Sequence, residues 1–158
     1  STLFPYTTLF RSVEGLNGVI EKLKTLAPRL QRTGLRRASR KAMNIVRDAA
    51  RANAKAIDDP QTKEKVWKNI VTQESPRGGK REGGIMMRVG VRGGASRNQY
   101  SQDASGNPGG DTRHWRYIEL GTEHMQAHPF LRPALQNNIA AVTEKLAAEL
   151  RSEIDRLV

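Results

Sequence analysis

The sequence contains no cysteine. Disulfide bonds, thiolate nucleophiles and cysteine zinc ligands are therefore excluded as sources of its stability or chemistry. Aromatic residues make up only 5% of the chain, and no run reaches the roughly 18 apolar residues that a membrane-spanning helix needs. Much of the 37% apolar content is alanine, which buries little area per side chain. We therefore expect a thin core that gains stability from association with partners.

Positive charge is what the chain has in excess, with a formal net charge of +11. Such a charge suits nucleic acid, an anionic membrane surface or an acidic protein partner. The basic residues are concentrated between residues 29 and 55. Three interpretations of this run stay open: a solvated helix face, a contact with an acidic neighbour, and a contact with nucleic-acid phosphates. The candidate contact residues are Arg32, Arg36, Arg37, Arg40, Lys41, Arg47 and Arg51.

Three stretches have apolar residues spaced at three and four, which predicts amphipathic helices. The first is 13–30, where Pro28 is expected to kink or close the helix. A joint at Gly34 separates it from a second helix over 35–57. The third follows two prolines, Pro129 and Pro133, and keeps one apolar face to the end of the chain.

Between these helices the sequence predicts strands. Residues 70–75 alternate after a short helical turn, and residues 85–91 are rich in β-branched and apolar side chains. Residues 114–123 fit either a strand or a short helix. The expected fold is α+β: a small antiparallel sheet, consisting of a hairpin and a further strand, packed against two or three long helices.

Two glycine-rich segments, 75–84 and 93–112, are predicted to be flexible arms that become ordered on contact with neighbours. The first twelve residues, STLFPYTTLFRS, are similar to the translation of a sequencing-library adapter, as found in metagenomic gene fragments. We expect them to be non-native. The remaining residues, 13–158, are expected to form a single domain.

Several polar side chains near residue 120 could in principle carry chemistry. A metal cluster is the first possibility, but the spacing matches no zinc-ligand pattern. The carboxyls of Glu119 and Glu123 could act as an acid and base pair, yet no aromatic sugar platform accompanies them. No nucleophile elbow or phosphate-binding loop is present either. We therefore expect no catalytic, cofactor or metal site. The residues considered as metal ligands are His114, Glu119, Glu123, His124 and His128.

One segment, WRYIELGTEHMQAHPFLRPAL at 115–135, resembles the signature of the gene-product-ten-like family of siphophage neck and tail-joining proteins. The opening VEGLNGVIEKLKTL is also similar to that of the family. A departure lies at 58–70, where Lys63 replaces a glycine found in many members. The motif residues are Trp115, Tyr117, Glu119, Gly121, Thr122, Pro129, Phe130, Arg132, Pro133 and Leu135.

The resemblance implies a structural, non-enzymatic phage morphogenesis protein in the ring that joins head to tail. Its implied partners are further copies of itself and neighbouring neck and tail proteins, with no membrane, cofactor or small-molecule substrate. Assembly would occur in the cytoplasm of the host bacterium, and the protein would then reside in the neck or tail region of the virion. The alternative is a basic nucleic-acid-binding protein of phage or bacterial origin.

The motif also carries expectations of its own. Glycine at 121 permits a positive φ and a sharp turn, and the two prolines stiffen the start of the following helix. Arg132 would lie in the first turn of that helix, where the helix dipole disfavours a cation. We therefore expect Arg132 to have an acidic partner, with Glu119 as the best candidate.

Overall fold

A computed structural model describes residues 16–92 and 106–157. The expected adapter segment therefore lies outside the described residues, as does 93–105 of the second predicted arm. The elements in chain order are α1 (Leu16–Lys24), α2 (Pro28–Ala56), a 3-10 helix (Val66–Asn69), β1 (Ile70–Glu74), α3 (Pro76–Glu82), β2 (Met87–Val91), α4 (Trp115–Leu120), α5 (Leu131–Gln136) and α6 (Ile139–Leu157).

The α+β class is confirmed, with one correction to the sheet. β1 and β2 form a two-stranded antiparallel sheet, and the 3-10 helix is the expected helical turn before it. The further strand is not found among the described residues, because the segment at 114–123 forms the helix α4 instead. By their contacts, the described residues fall into two compact units. The first lies within 1–45, 74–87 and 139–158, and the second within 46–73 and 88–138.

The core of the first unit joins three helices. Val19 and Leu23 of α1 pack with Ala38 of α2 and with Leu150 and Ile154 of α6. Ala38 is fully buried, so the small side chain allows α2 to come close to its neighbours. Burying a Val, Leu or Ile contributes about 1.5–3 kcal/mol, while alanine contributes less. The core is thin for this reason, as its composition indicates.

Two predicted helix boundaries are wrong. Pro28 does not close the first helix, which ends at Lys24, but begins α2. Proline is tolerated there because the first helical N–H has no partner within the helix. Gly34 is not a joint either, since α2 runs through it. A Cβ at Gly34 would lie 3.6 Å from Leu157 of α6, so the glycine lies where the two helices approach closely.

The C-terminal helical stretch is interrupted, although its apolar face looked continuous. α5 ends at Gln136 and α6 begins at Ile139. The side-chain amide of Asn138 donates a hydrogen bond of 2.7 Å to the carbonyl of Ala134. Asparagine side chains compete in this way with backbone hydrogen bonds, which favours a break in the helix.

Ion pairs set the alignment of α6 against α2 in the first unit. Glu149 lies 3.1 Å from Lys41 of α2 and 3.0 Å from Lys145 of its own helix. Its side chain is only 14% exposed. Hydrogen bonds from Lys145 and then from Lys41 lower the pKa of the Glu149 carboxyl below its usual value.

One helical turn further along, Glu153 repeats this arrangement. Its carboxylate lies 2.8 Å from Arg156 and 3.9 Å from Arg37 of α2. Because Arg37 and Lys41 are four residues apart, as are the two glutamates, the pairs form an antiparallel ladder. Arg37 and Lys41 of α2 thus have acidic partners within the first unit.

The segment at 75–84, which the sequence predicts to be a flexible arm, contains a helix that the sequence does not predict. It forms the helix α3, whose first turn is capped by Ser75, the hydroxyl of which accepts a hydrogen bond of 3.3 Å from the N–H of Gly78. Gly83 ends the helix with φ of 75°. Gly79 is buried, and a Cβ there would lie 2.6 Å from the carbonyl oxygen of Gly84.

The end of the second predicted arm is held in the second unit. Asn69 is fully buried, and its amide donates to the carbonyl of Gly110 at 3.0 Å and to the hydroxyl of Thr112 at 2.8 Å. Its oxygen accepts from the N–H of Gly109 at 2.7 Å. Residues 109–112 therefore pack against the 3-10 helix and do not form part of a free arm.

Matched glycine substitutions test this packing. We expect Gly79→Ala to lower the free energy of unfolding by about 1–3 kcal/mol, because the added methyl would overlap a backbone carbonyl. Gly34→Ala, in contrast, places a methyl at ordinary contact distance and should raise it by about 0.5–1 kcal/mol. Chemical denaturation measures both values. Equal effects of the two substitutions would contradict this account of the two glycines.

The ion-pair ladder predicts a pH dependence. A carboxyl with a lowered folded-state pKa stabilises the protein above its ordinary pKa of about 4.5, and the contribution disappears as the pH falls through the folded-state pKa. We expect Glu149→Gln to unfold at lower denaturant concentration than wild type at pH 7, with the difference vanishing in acid. Glu144→Gln replaces an exposed carboxyl on the same helix. This variant should unfold at the same denaturant concentration as wild type both at pH 7 and in acid.

Candidate protein interaction surface

The helix α4 divides its side chains between an inner and an outer side. Glu119 is buried and Ile118 is half-buried, whereas Tyr117 is 60% exposed and Leu120 is 55% exposed. Tyr117 and Leu120 are three residues apart, so they lie on the same side of the helix. A tyrosine and a leucine thus face outward side by side from a six-residue helix.

A tight turn follows this helix and exposes a third large apolar side chain. Gly121 has φ of 76° and its N–H donates to the carbonyl of Tyr117 at 2.8 Å. A Cβ at Gly121 would lie 2.8 Å from the amide nitrogen of Ala127, so both the backbone angle and the space require glycine. The backbones of Thr122 and Met125 are hydrogen-bonded to each other. Met125 is 41% exposed. We call Tyr117, Leu120 and Met125 the apolar patch.

The side chain of Glu119 holds this helix to the next one. Its Oε2 accepts hydrogen bonds from the N–H groups of Phe130 at 2.7 Å and Leu131 at 3.0 Å, and its Oε1 accepts from the N–H of Arg132 at 3.0 Å. These are the free N–H groups at the start of α5, where the helix dipole also favours a negative charge. Glu119 therefore caps a helix that begins twelve residues later.

The expected ion pair between Glu119 and Arg132 is wrong. The carboxylate contacts the backbone N–H of Arg132, while the side chain of Arg132 is exposed. The helix dipole disfavours the cation of Arg132 in the first turn of α5, and the negative charge of Glu119 lies at the same helix start. Glu119 therefore offsets the unfavourable position of Arg132 without an ion pair between the two side chains. The motif therefore joins Glu119 and Arg132, as the sequence suggested, but through different atoms.

The rest of the motif supports the same junction. Phe130 is fully buried, and its carbonyl accepts a hydrogen bond of 3.2 Å from Asn53 of α2. Trp115, Pro133 and Leu135 are half-buried, while Pro129 is exposed. The N–H of His128 donates to the carbonyl of Ile118 at 2.7 Å. The inner side of the motif is thus tied down at several points.

The polar residues considered for metal binding or acid–base chemistry are not brought together. Glu119 is engaged with three backbone N–H groups, whereas Glu123, His124 and His128 are exposed. No group of metal-ligating residues occurs within 16–92 and 106–157. His114 borders a cavity of about 160 Å³ whose apolar lining includes Val66, Ile118 and Phe130.

Most residues of the predicted basic contact surface have an ion-pair or hydrogen-bond partner within the protein. Besides the two pairs with α6, Arg36 lies 2.7 Å from Glu74 and Arg47 lies 2.9 Å from Asp48. Arg51 donates to the carbonyl of Ile70 at 2.9 Å. Arg32 and Arg40 are exposed on the same helix. None of the helices in the described ranges is long and apolar enough to cross a membrane.

Two sets of structurally important residues were not identified from the sequence. The first is Asn69, and the second is the pair Glu149 and Glu153. An asparagine between a tryptophan–lysine pair and a strand gives no signal that it will be buried. The two glutamates could have been found from their spacing of four, because it matches that of Arg37 and Lys41 on another helix.

Comparison with known proteins gives one family. The model of the HK97-gp10-like family, described as "Bacteriophage HK97-gp10, putative tail-component", matches residues 17–121. The match extends from α1 through the end of α4 and its terminal glycine. No curated protein and no solved structure matches the chain.

The cap made by Glu119 gives a direct prediction. Glu119→Gln leaves a single oxygen for three N–H groups and removes the charge, so we expect a loss of about 2–4 kcal/mol in the free energy of unfolding. Glu123→Gln, four residues later on an exposed side chain, should change it by less than about 0.5 kcal/mol. Urea denaturation followed by circular dichroism measures both. If the two variants were equally stable, the cap would have no structural role.

Proposed function

The chain belongs to the HK97-gp10-like family of phage tail components, and from this membership we propose that it is a structural subunit of the ring that joins the phage head to the tail. In this role it associates with further copies of itself and with neighbouring neck and tail proteins. It is assembled in the cytoplasm of the host bacterium and carried in the neck or tail region of the virion.

The apolar patch is the observation that carries this proposal. Tyr117, Leu120 and Met125 are exposed at 60%, 55% and 41%. Tyrosine and methionine are enriched at protein interfaces, where a few large side chains provide most of the binding energy. Clustered exposed apolar side chains often mark a site of protein interaction, and in this proposal a partner covers these three.

The frame beneath the patch supports the same role. The Glu119 cap and the Gly121 turn fix α4 and the following turn from the inner side. A backbone that is held before binding loses little conformational freedom on association, which raises the affinity of a small interface. The motif therefore makes a rigid base for exposed side chains, as expected of a docking surface.

A ring explains how modest contacts can suffice. When identical subunits associate head-to-tail and the rotation closes, each subunit uses two different surfaces. Every contact after the first is then made at high effective concentration. The alanine-rich core of the first unit fits such a protein, because partner contacts add to the stability of a marginal subunit.

In this proposal the protein acts without catalysis. Glu119, the most deeply buried carboxylate of the motif, has its oxygens filled by backbone N–H groups. A carboxylate held in this way positions a helix and is not available to accept a proton from a substrate. The motif thus contributes shape and rigidity.

The rival hypothesis is a free-standing nucleic-acid-binding protein that uses the basic residues of α2. The contacts of this helix do not favour it, because Arg36, Arg37 and Lys41 face acidic side chains within the first unit. The acidic neighbours reduce the positive potential that these three cations offer to phosphate.

The apolar patch can be tested by paired substitution. We expect Tyr117→Ala with Leu120→Ala to reduce ring formation at least tenfold, because hot-spot side chains of this size each contribute about 2 kcal/mol or more. Native mass spectrometry of the purified chain, alone and with neighbouring tail proteins, measures the distribution of oligomers. The melting temperature should stay close to that of wild type, since both side chains are exposed.

A matched control is Leu30→Ala, which removes an exposed leucine (36% exposed) from the other unit. It should leave assembly unchanged. A double variant that still forms rings as wild type does would exclude the apolar patch as an assembly surface, and the same loss in the control would make the effect non-specific.

A further inference from the structure

The short helix α3 carries a second surface that differs from the apolar patch in its chemistry. Arg77, Lys80 and Arg81 are all exposed. They are spaced at three and four residues, so they lie on one side of the helix. Within the described residues, the only ion pair on this side joins Arg81 to Glu82 at 3.4 Å, and the side chain of Arg81 is 73% exposed. We call these three residues the basic tip.

The opposite side of α3 explains why the basic side faces outward. Gly78 and Gly79 are buried, and a Cβ at Gly78 would collide with the sulfur of Met86. Ser75 caps the start of the helix, and Gly83 with Gly84 closes its end by donating hydrogen bonds to the last turn. Gly78 and Gly79 thus allow the helix to pack closely on the segment that follows it, and the basic side of the helix faces outward.

The basic tip differs in this respect from the basic residues of α2. On α2, three of the cations lie against Glu74, Glu149 and Glu153 of the same unit. Arg77 and Lys80 have no such partner in the part of the chain that the structure describes. A cation with no internal partner keeps its full charge for an external anion, so Arg77 and Lys80 are more available for binding than these three paired cations of α2.

The composition of the tip indicates the class of partner. A protein interface generally has a core of apolar or aromatic side chains surrounded by polar ones. The helix α3, PRGGKRE, has no aromatic or large aliphatic residue at all. Arginine and lysine without apolar anchors suit a regular array of charges, and the phosphates of a nucleic-acid backbone are such an array. Because no base-reading motif accompanies them, the contact would be independent of sequence.

We propose that the basic tip binds the phosphate backbone of double-stranded DNA without sequence preference. The contact is electrostatic, it releases counterions and it is strongest at low salt. It uses a different surface from the assembly contact proposed above and does not depend on that proposal.

The test compares two triple variants of the full-length chain with the wild type. The first, Arg77→Gln, Lys80→Gln and Arg81→Gln, removes the basic tip. The second, Lys22→Gln, Arg29→Gln and Arg32→Gln, removes the same amount of charge from exposed residues on α1 and α2. Fluorescence anisotropy with two labelled duplexes of unrelated sequence, at increasing sodium chloride, gives the dissociation constant and its salt dependence.

For the tip variant we expect binding to be weakened roughly tenfold or more at moderate salt, equally for both duplexes. The slope of log K against log salt should fall by about 2–3, because each phosphate contact contributes about 0.9. The charge-matched control should keep a slope close to that of wild type. Circular dichroism checks that both variants stay folded, and glutamine preserves helix propensity in each.

Equal weakening in both variants would overturn the proposal, because net charge alone would then explain binding. An unchanged slope in the tip variant would do the same. Loss of ring formation with DNA binding intact, measured by native mass spectrometry of the same samples, would assign the tip to an acidic protein neighbour and would also overturn it.

Discussion

The carboxylate of Glu119 determines how the second unit is put together around its motif. Three backbone N–H groups at the start of α5 converge on its two oxygens, at 2.7–3.0 Å. Without an acceptor all three would lack a partner, and the N–H of Phe130, which is buried, would alone cost about 1–3 kcal/mol. The other motif residues position this side chain. Gly121 turns the chain back after α4, Phe130 anchors the start of α5 in the core, and Pro133 lies within the helix that Glu119 caps. The outward direction of Tyr117 and Leu120 follows from the inward direction of Glu119.

The two units use charge and packing differently. In the first unit, small side chains allow close helix packing, and pairs of cations with glutamates align α2 with α6. In the second unit, single polar side chains do comparable work: Asn69 holds residues 109–112 and Glu119 holds α5. Both arrangements stabilise a unit with little buried apolar surface, which is consistent with a chain poor in aromatic residues. A protein of this kind is expected to rely on association for part of its stability.

Periodicity in the sequence was enough to predict the three long helical stretches, the strand at 70–74 and the α+β class, because an apolar spacing of three and four or an alternation depends only on local geometry. The boundaries failed where tertiary contacts decide them. Gly34 remains helical because α6 packs over it, and Pro28 starts a helix that it was expected to end. The helix α3 could not be foreseen, since PRGGKRE has two glycines whose role is visible only when Met86 is placed beside them. Within the motif, the sequence pointed to a contact between Glu119 and Arg132, but not that Glu119 accepts hydrogen bonds from main-chain N–H groups in place of the guanidinium of Arg132.

The ladder of charges between α2 and α6 also restricts motion. Sliding α6 by one turn in one direction would bring Lys145 opposite Lys41, two like charges in a place now occupied by Glu149. Sliding it in the other direction would place Glu149 opposite Ile45 and Glu153 opposite Lys41, so that Glu149 would lose its cation on α2. Either displacement takes one of the two glutamates away from its cation on α2, which favours the present register. The ratchet of one helix past another, a known route by which assemblies change state, is therefore disfavoured for this pair, and we expect a rearrangement of the first unit to move these two helices together.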